Sequence, residues 1–246
     1  MSKVALVTGG SGGIGSAICY RLARDGFTVA VAYSSSESKA CGVVEKIVHD
    51  GGQAFPIYLN IKHINSICLA VECILKKHQK IDILVNNGAF SQEKPFLDID
   101  DEDWDQMLAI NLRGPFALCQ EVLPKMLENR FGRIVNIVSI GGQWGGINQI
   151  HYASAKAGLI GLTRSIAKTF SSHSVTCNAV SPGLVATEMT AAELISNEGR
   201  EKVKNIPCGR LGLVDEIAGA VSYLVGPDGG YITGQTLNLN GGMYFG

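Results

Sequence analysis

Tyr152 and Lys156 stand four residues apart in "YASAKAG" (152–158). Four residues is about one helical turn, so on a helix both side chains lie on one face. A free phenol has a pKa of about 10, too high for efficient proton donation near neutral pH. A neighbouring ammonium favours the phenolate, and lowering the pKa by about three pH units corresponds to about 4 kcal/mol. Such a phenol is a general acid toward a carbonyl under reduction, or a base in the reverse direction. Ala153, Ser154, Ala155, Ala157 and Gly158 are all small and leave room for a cofactor and neighbouring helices. Taken alone, the pair reads as an ordinary helix surface; catalysis needs further groups to converge on it. Ser139 closes the apolar run "GRIVNIVS" (132–139) and can hydrogen-bond a substrate carbonyl beside Tyr152.

A second constellation is "TGGSGGIG" (8–15), between an apolar run and a helical pattern. Gly9, Gly13 and Gly15, with Ser11 and Ile14 between them, allow a tight turn, close approach of backbone to a pyrophosphate, and close helix–strand packing. The end of the next apolar run carries Tyr33, Ser34, Ser35 and Ser36, and the first carboxylate is Glu37. Without an acid to bind a ribose 2′-hydroxyl, hydroxyls and backbone N–H groups can receive a 2′-phosphate. NADP(H) is favoured and NAD(H) stays open, because the serines could simply cap the following helix.

The elements that must position these groups follow from periodicity. Short apolar runs at 3–8, 27–33, 53–59, 81–87, 132–139, 174–181 and 235–240 alternate with helical patterns near 14–25, 37–50, 64–79, 101–129, 151–172 and 214–225. Strands apolar on both faces and separated by helices predict an α/β fold, a doubly wound parallel sheet of about seven strands in one Rossmann-type domain spanning 1–246. The long connection around 183–213 predicts a substrate lid near 186–210.

Composition narrows the functions. With 246 residues, 46% hydrophobic, 17% charged and a formal net charge of −1, the chain has a large core and no basic surplus for nucleic acid. No membrane-length apolar run and no targeting segment ahead of Lys3 are read, which predicts a cytoplasmic protein. The seven scattered cysteines read as core thiols, and neither they nor the five histidines have metal-ligand spacing.

Together these motifs resemble the classical short-chain dehydrogenase/reductase family over the whole chain. The resemblance rests on "TGGSGGIG", Asn86–Asn87, Asn111 in "INLRG", Ser139, Tyr152 thirteen residues later, Lys156, and "SPG" at 181–183. Within the family, "GGSGGIGSAICYRLARDGF" (9–27), "RLGLVDEIA" (210–218) and "LNGGM" (239–243) are most similar to 3-oxoacyl-ACP reductases and acetoacetyl-CoA reductases.

The resemblance implies a catalytic set of Asn111, Ser139, Tyr152 and Lys156, with Asn111 holding a water on a proton path and Lys156 also bonding the nicotinamide ribose. It implies cofactor contacts at Asn60, Ile61, Asn87, Gly88, Pro182, Gly183, Val185 and Thr187, the last four in "SPGLVATEM", where a Pro-Gly otherwise reads as a plain turn. Substrate contacts are expected at Gln143, Trp144 and Gln149, within walls formed by 141–150, Phe90 to Lys94 and the lid at 188–208; Trp144 reads equally as packing bulk. A homotetramer is implied too, pairing the helices at 101–129 and 151–172.

Three positions depart from the family pattern. Gly88 and Ala89 reverse the usual Ala-Gly order, Asn60 replaces an aspartate, and His173 and Ser174 replace a basic residue and a glycine. The last weakens a basic patch; Arg130 and Arg133 could still meet a phosphopantetheine or an acidic carrier, but read more readily as solvated or ion-paired surface residues. The expected reaction is NADPH-dependent reduction of a 3-oxoacyl thioester, with CoA slightly favoured over acyl carrier protein. A reductase of the same fold acting on another ketone or alcohol, and a non-catalytic nucleotide sensor, are the competing readings.

Overall fold

A computed structural model describes residues 2–187 and 197–246. Seven strands form one parallel sheet in the order β3-β2-β1-β4-β5-β6-β7. Along the chain run β1 (Val4–Val7), α1 (Gly13–Arg24), β2 (Thr28–Tyr33), α2 (Glu37–His49), β3 (Gln53–Tyr58), α3 (Ile64–His78) and β4 (Ile83–Asn86). The second half has α4 (Asp101–Leu108), α5 (Gly114–Glu128), β5 (Gly132–Ile137), the short α6 (Gly141–Trp144), α7 (Ile150–Phe170), β6 (Val175–Pro182), α8 (Asn197–Lys204), α9 (Val214–Val225) and β7 (Thr236–Leu239). The predicted α/β doubly wound sheet is the observed one.

β1, β4, β5 and β6 are buried along their whole length, as expected of parallel strands covered on both faces. Val7, Val31, Val85 and Val135 join Ile18 and Leu22 of α1 and Val221 of α9 in one core. Leu6, Leu84 and Ile134 join Ile67, Leu118, Met126 and Ile166 from α3, α5 and α7 in the other. Pro56 sits in β3, an edge strand, where its missing N–H costs no ladder bond to an outer neighbour.

The pattern read as one helix over 101–129 is two helices joined by a π-helical turn, Ala109–Arg113. α4 opens with a capping box between Asp100 and Asp103. No helix among the described residues is long and apolar enough to cross a membrane. Of the predicted lid, Ala186, Thr187 and 197–210 are described; 188–196 lie outside the described residues.

Candidate active site

Strand order reverses between β1 and β4, and the carboxyl ends of the strands there open a cleft of about 750 Å³. One end is built from the glycine loop. Gly9 has φ +62°, a backbone conformation that favours glycine. A Cβ on Gly15 would lie 2.1 Å from the Gly9 carbonyl oxygen, so this position requires glycine for α1 to start where it does.

A Cβ on Gly12 would meet nothing nearer than 3.9 Å, and both Gly12 and Gly13 line the cleft. Substituents there would fill it. The first turn of α1 has neither a capping side chain nor an acidic residue, so its N–H groups and positive dipole end are left for an anion. This cradle fits the pyrophosphate of a dinucleotide.

Asn87 and Thr8 hold the loop against β4. Asn87 Nδ2 donates to the Thr8 carbonyl at 2.9 Å, while the Asn87 and Gly88 N–H groups both donate to Thr8 Oγ1 at 2.9 Å. The Gly88-Ala89 order is accommodated because Gly88 packs on Gly9: a Cβ on Gly9 would lie 2.9 Å from Gly88 Cα. Thr8 was not singled out in the sequence; a hydroxyl at the last position before the glycines is its one signal.

Gly9, Gly13, Ile14, Gly15, Ser34, Asn60, Ile61, Asn87 and Gly88 line the cleft, as do Pro182, Gly183, Val185 and Thr187 at its other wall. Ser11, Tyr33 and Ser35 lie off its lining, and Tyr33 instead packs edge-on to Tyr58 with ring centres 5.9 Å apart. Asn60 Oδ1 accepts from the Lys62 N–H at 3.0 Å, turning the chain toward α3 with one lone pair to spare.

Lys39 also lines this end, beside Ser34. It was missed because it follows β2 by half a turn of α2, beyond the stretch where a fingerprint places its ribose partner. Ser36 caps that helix, accepting from the Lys39 N–H at 3.4 Å, so the capping role foreseen for the serines falls on this one.

At the cleft's centre, Ser139, Tyr152 and Lys156 come together. Ser139 stands beside the Tyr152 hydroxyl and lowers its pKa, and Ser139 Oγ accepts from the Gly141 N–H at 3.1 Å. Lys156 Nζ lies 5.6 Å from the Tyr152 ring centre and donates to the Ile137 carbonyl at 2.9 Å. Burial pushes the Lys156 ammonium down to about 8.

Burial also raises Tyr152 above its usual value, and Ser139 offsets part of that rise. The net shift is upward because desolvation of the phenol is its largest cause. The Lys156 ammonium is itself desolvated and turned to the Ile137 carbonyl.

The small residues nearby have specific reasons. A Cβ on Gly142 would lie 2.8 Å from Lys156 Cβ, and one on Gly158 would lie 2.8 Å from Leu112 in the π-helical turn. That turn buries Asn111 completely. Asn111 Nδ2 donates to the Phe90 carbonyl at 2.8 Å and the Met107 carbonyl at 3.1 Å, and its Oδ1 accepts from the Phe90 N–H at 3.3 Å. Its side chain fastens the cleft wall at Phe90.

The three substrate residues do not join this centre. Gln143 donates to Ser181 Oγ at 2.8 Å and Asn238 Oδ1 at 2.6 Å, locking α6 to β6 and β7. Trp144 packs edge-on to Tyr244 with ring centres 6.3 Å apart, and Gln149 reaches Glu93 at 3.4 Å.

Arg130 and Arg133 follow α5 and open β5, at the amino end of the sheet and away from this chain's own cleft. Arg133 is buried, donating to the Gly132 and Ser174 carbonyls, with its guanidinium 4.5 Å from the Phe131 ring centre. It is a structural residue, neither the carrier contact nor the solvated surface residue that the sequence left open for it.

The short chain dehydrogenase family profile matches residues 3–197, and the chain belongs to that family. Among curated relatives, "3-oxoacyl-[acyl-carrier-protein] reductase FabG" of Aquifex aeolicus is 43% identical over 244 residues, covering 98% of this chain and 97% of the relative. The Staphylococcus aureus protein of the same name is 39% identical over 245 residues, covering 99% of each. A blue fluorescent protein from a metagenomic library, solved in complex with NADPH, superposes with a TM-score of 0.92 at 34% identity, covering 99% of this chain and 98% of that one. A putative gluconate dehydrogenase from Agrobacterium tumefaciens gives 0.95 at 28% identity, covering 98% and 95%. The chain is an NAD(P)-dependent oxidoreductase similar to 3-oxoacyl reductases.

Proposed function

We propose that the chain reduces 3-oxoacyl thioesters to 3-hydroxyacyl thioesters with NADPH. The observation that carries this reading is the convergence of Ser139, Tyr152 and Lys156 on the same cleft as the glycine cradle, with Ser139 close enough to the phenol to lower its pKa. The names of the curated relatives supply the substrate class. They point to a carrier-protein thioester, and the slight lean toward CoA read from the sequence finds no support in them.

The dinucleotide, held by the glycine loop, Asn87 and the Pro182–Thr187 wall, supplies the hydride when bound. Ser139 orients the ketone oxygen, and Tyr152 gives its phenolic proton to that oxygen as negative charge develops there. Lys156 places positive charge behind the phenol, which favours the phenolate left after transfer. Lys39 and Ser34, with no carboxylate in the cleft lining beside them, support NADPH over NADH. The same reading has the chain acting as one catalytic unit in the cytoplasm, as a homotetramer through α4, α5 and α7. Half-exposed Trp104 and Phe116 on α4 and α5 support that packing.

A second reading, a reductase of another ketone or alcohol, draws support from Gln143, Trp144 and Gln149 being engaged elsewhere, which leaves the acyl side undefined by those residues. Initial rates on acetoacetyl carrier protein, acetoacetyl-CoA, a sugar ketone and a cyclic ketone, each with NADPH and NADH, separate the two by nicotinamide absorbance. Higher kcat/KM on the thioesters with NADPH is the expected result. Faster turnover of a non-thioester ketone would overturn the proposal.

A further inference from the structure

His151 precedes Tyr152 and is fully buried. Its Nε2 lies 3.1 Å from Gln92 Oε1. The Gln92 amide nitrogen donates to Asp103 Oδ1 at 2.9 Å, and Asp103 Oδ2 is paired with Lys94. These bonds fix one another's direction. With the amide nitrogen spent on Asp103, Gln92 turns its oxygen to the imidazole, so Nε2 must carry the proton. Nδ1 is then a bare lone pair, buried and without a partner.

The series joins three elements: α7, the loop after β4, and α4. The loop is tied down twice more, by Asn111 at Phe90 and by the Lys94 N–H donating to the Asn148 carbonyl at 2.8 Å. Phe90 lines the cleft. The loop therefore enters the cleft at Ala89 and Phe90, and two residues further on it is anchored by a histidine on the helix that bears Tyr152 and Lys156.

We propose that His151 is a positioning residue for the acyl side of the cleft: as the Nε2–H tautomer, locked through Gln92 to Asp103, it fixes the 90–94 wall to the first turn of α7. The proposal rests on the reductase reading of the cleft. It adds a pH dependence that reductase chemistry does not itself require.

Burial holds His151 below the usual histidine range; Asp103 of α4 pulls it up, and Lys94 of the wall pushes it down. Of the remaining charges nearby, Asp100 of α4 lies 3.5 Å from Lys94, Glu93 of the wall reaches Gln149, and Lys156 of α7 is turned to Ile137. The neutral ring's contribution is whole above the unfolded value of about 6.5 and is lost as pH falls toward the lower folded value. Protonation at Nδ1 would leave a buried N–H with no acceptor.

The test uses the full chain in two measurements. Long-range 1H–15N spectra of the 15N-histidine-labelled protein, with His151 assigned by its loss in His151→Gln, report tautomer and titration without any substrate. The expected result is an Nε2–H ring that titrates below the usual histidine range. An Nδ1–H tautomer, or a ring already protonated at pH 7, overturns the proposal.

In the second measurement, KM for acetoacetyl-CoA is followed from pH 5.5 to 7.5. His151→Leu raises KM roughly tenfold, about 1.4 kcal/mol, while the KM for NADPH stays within twofold. His151→Gln keeps a donor at the same reach, restores most of the lost affinity, and removes the rise in KM at acid pH. An unchanged KM in His151→Leu, or an acid rise that persists in His151→Gln, sinks the proposal. If the wild type turns over no thioester, the functional reading fails and the spectra alone decide the role of His151.

Discussion

Asn111 grips the Phe90 peptide at both ends: its Nδ2 donates to the Phe90 carbonyl and its Oδ1 accepts from the Phe90 N–H. The side chain thus imitates a strand partner for one residue of the cleft wall. Asn111→Ala strips two backbone groups of their partners, at a cost on the order of 3 kcal/mol. Urea unfolding should show that loss, accompanied by a raised substrate KM. Asn111→Asp keeps the acceptor for the Phe90 N–H but sets a buried carboxylate oxygen against the Phe90 and Met107 carbonyls, so it should recover none of the loss; an alanine variant as stable as wild type would contradict the clamp.

Tyr152→Phe removes the proton donor and leaves the ring in place. The expected fall in kcat is about 10³-fold, within the range for a lost general acid. NADPH binding, followed by nicotinamide fluorescence, should change little. A variant with near-normal turnover would mean that the proton comes from elsewhere.

Lys156 is a buried cation whose pKa is depressed from 10.5 to about 8. Between those values the unfolded chain binds more protons than the folded one, so stability contributed at this site rises with pH across the window. Below pH 8 the full penalty applies, equivalent to about 3 kcal/mol. Lys156→Met should therefore abolish activity yet raise Tm at pH 7, with the gain shrinking toward pH 10. Thermal melts at the two pH values check the sign; a lowered Tm at pH 7 would show that the bond to Ile137 outweighs desolvation.

Gly15→Ala forces a Cβ against the Gly9 carbonyl, and the glycine loop or the start of α1 must move. Overpacking of this kind costs about 1–3 kcal/mol. NADPH affinity should fall at least roughly tenfold, since the N–H groups that face the pyrophosphate shift together. Titration calorimetry measures this directly, and unaltered binding would place the anion elsewhere.

Lys39→Ala should raise the KM for NADPH roughly fivefold and leave NADH unaffected. Because Lys39 is exposed, the difference should shrink as salt rises. Equal effects on both cofactors would remove Lys39 from the 2′-phosphate.

The sheet was legible because its cause is local: apolar runs such as "VALV" and "TVAVAY" are buried on both faces, and nothing else accommodates them. The glycine loop and the Tyr152–Lys156 pair were legible because spacing carries their chemistry. The engagements of Gln143, Trp144 and Arg133 were not legible, for the opposite reason. Their partners, Asn238, Tyr244 and Ser174, are remote in sequence, and only the packed fold shows which polar groups are already engaged. The rise in Tyr152 has the same origin, since desolvation depends on the whole surroundings and a neighbour four residues away does not set it alone.

The wide turn at Ala109–Arg113 makes chain length itself a variable. A π-helical turn holds one residue more than an α-helical turn, so deleting a residue there would let α4 and α5 run on as an unbroken rod. The two flanking helices would keep their phase, so Leu118, Val122 and Met126 would still face the sheet. What would be lost is the widened backbone that sets the amide of Asn111 against Phe90. A single lost codon in this stretch would do more harm than most substitutions, although every side chain around it survived.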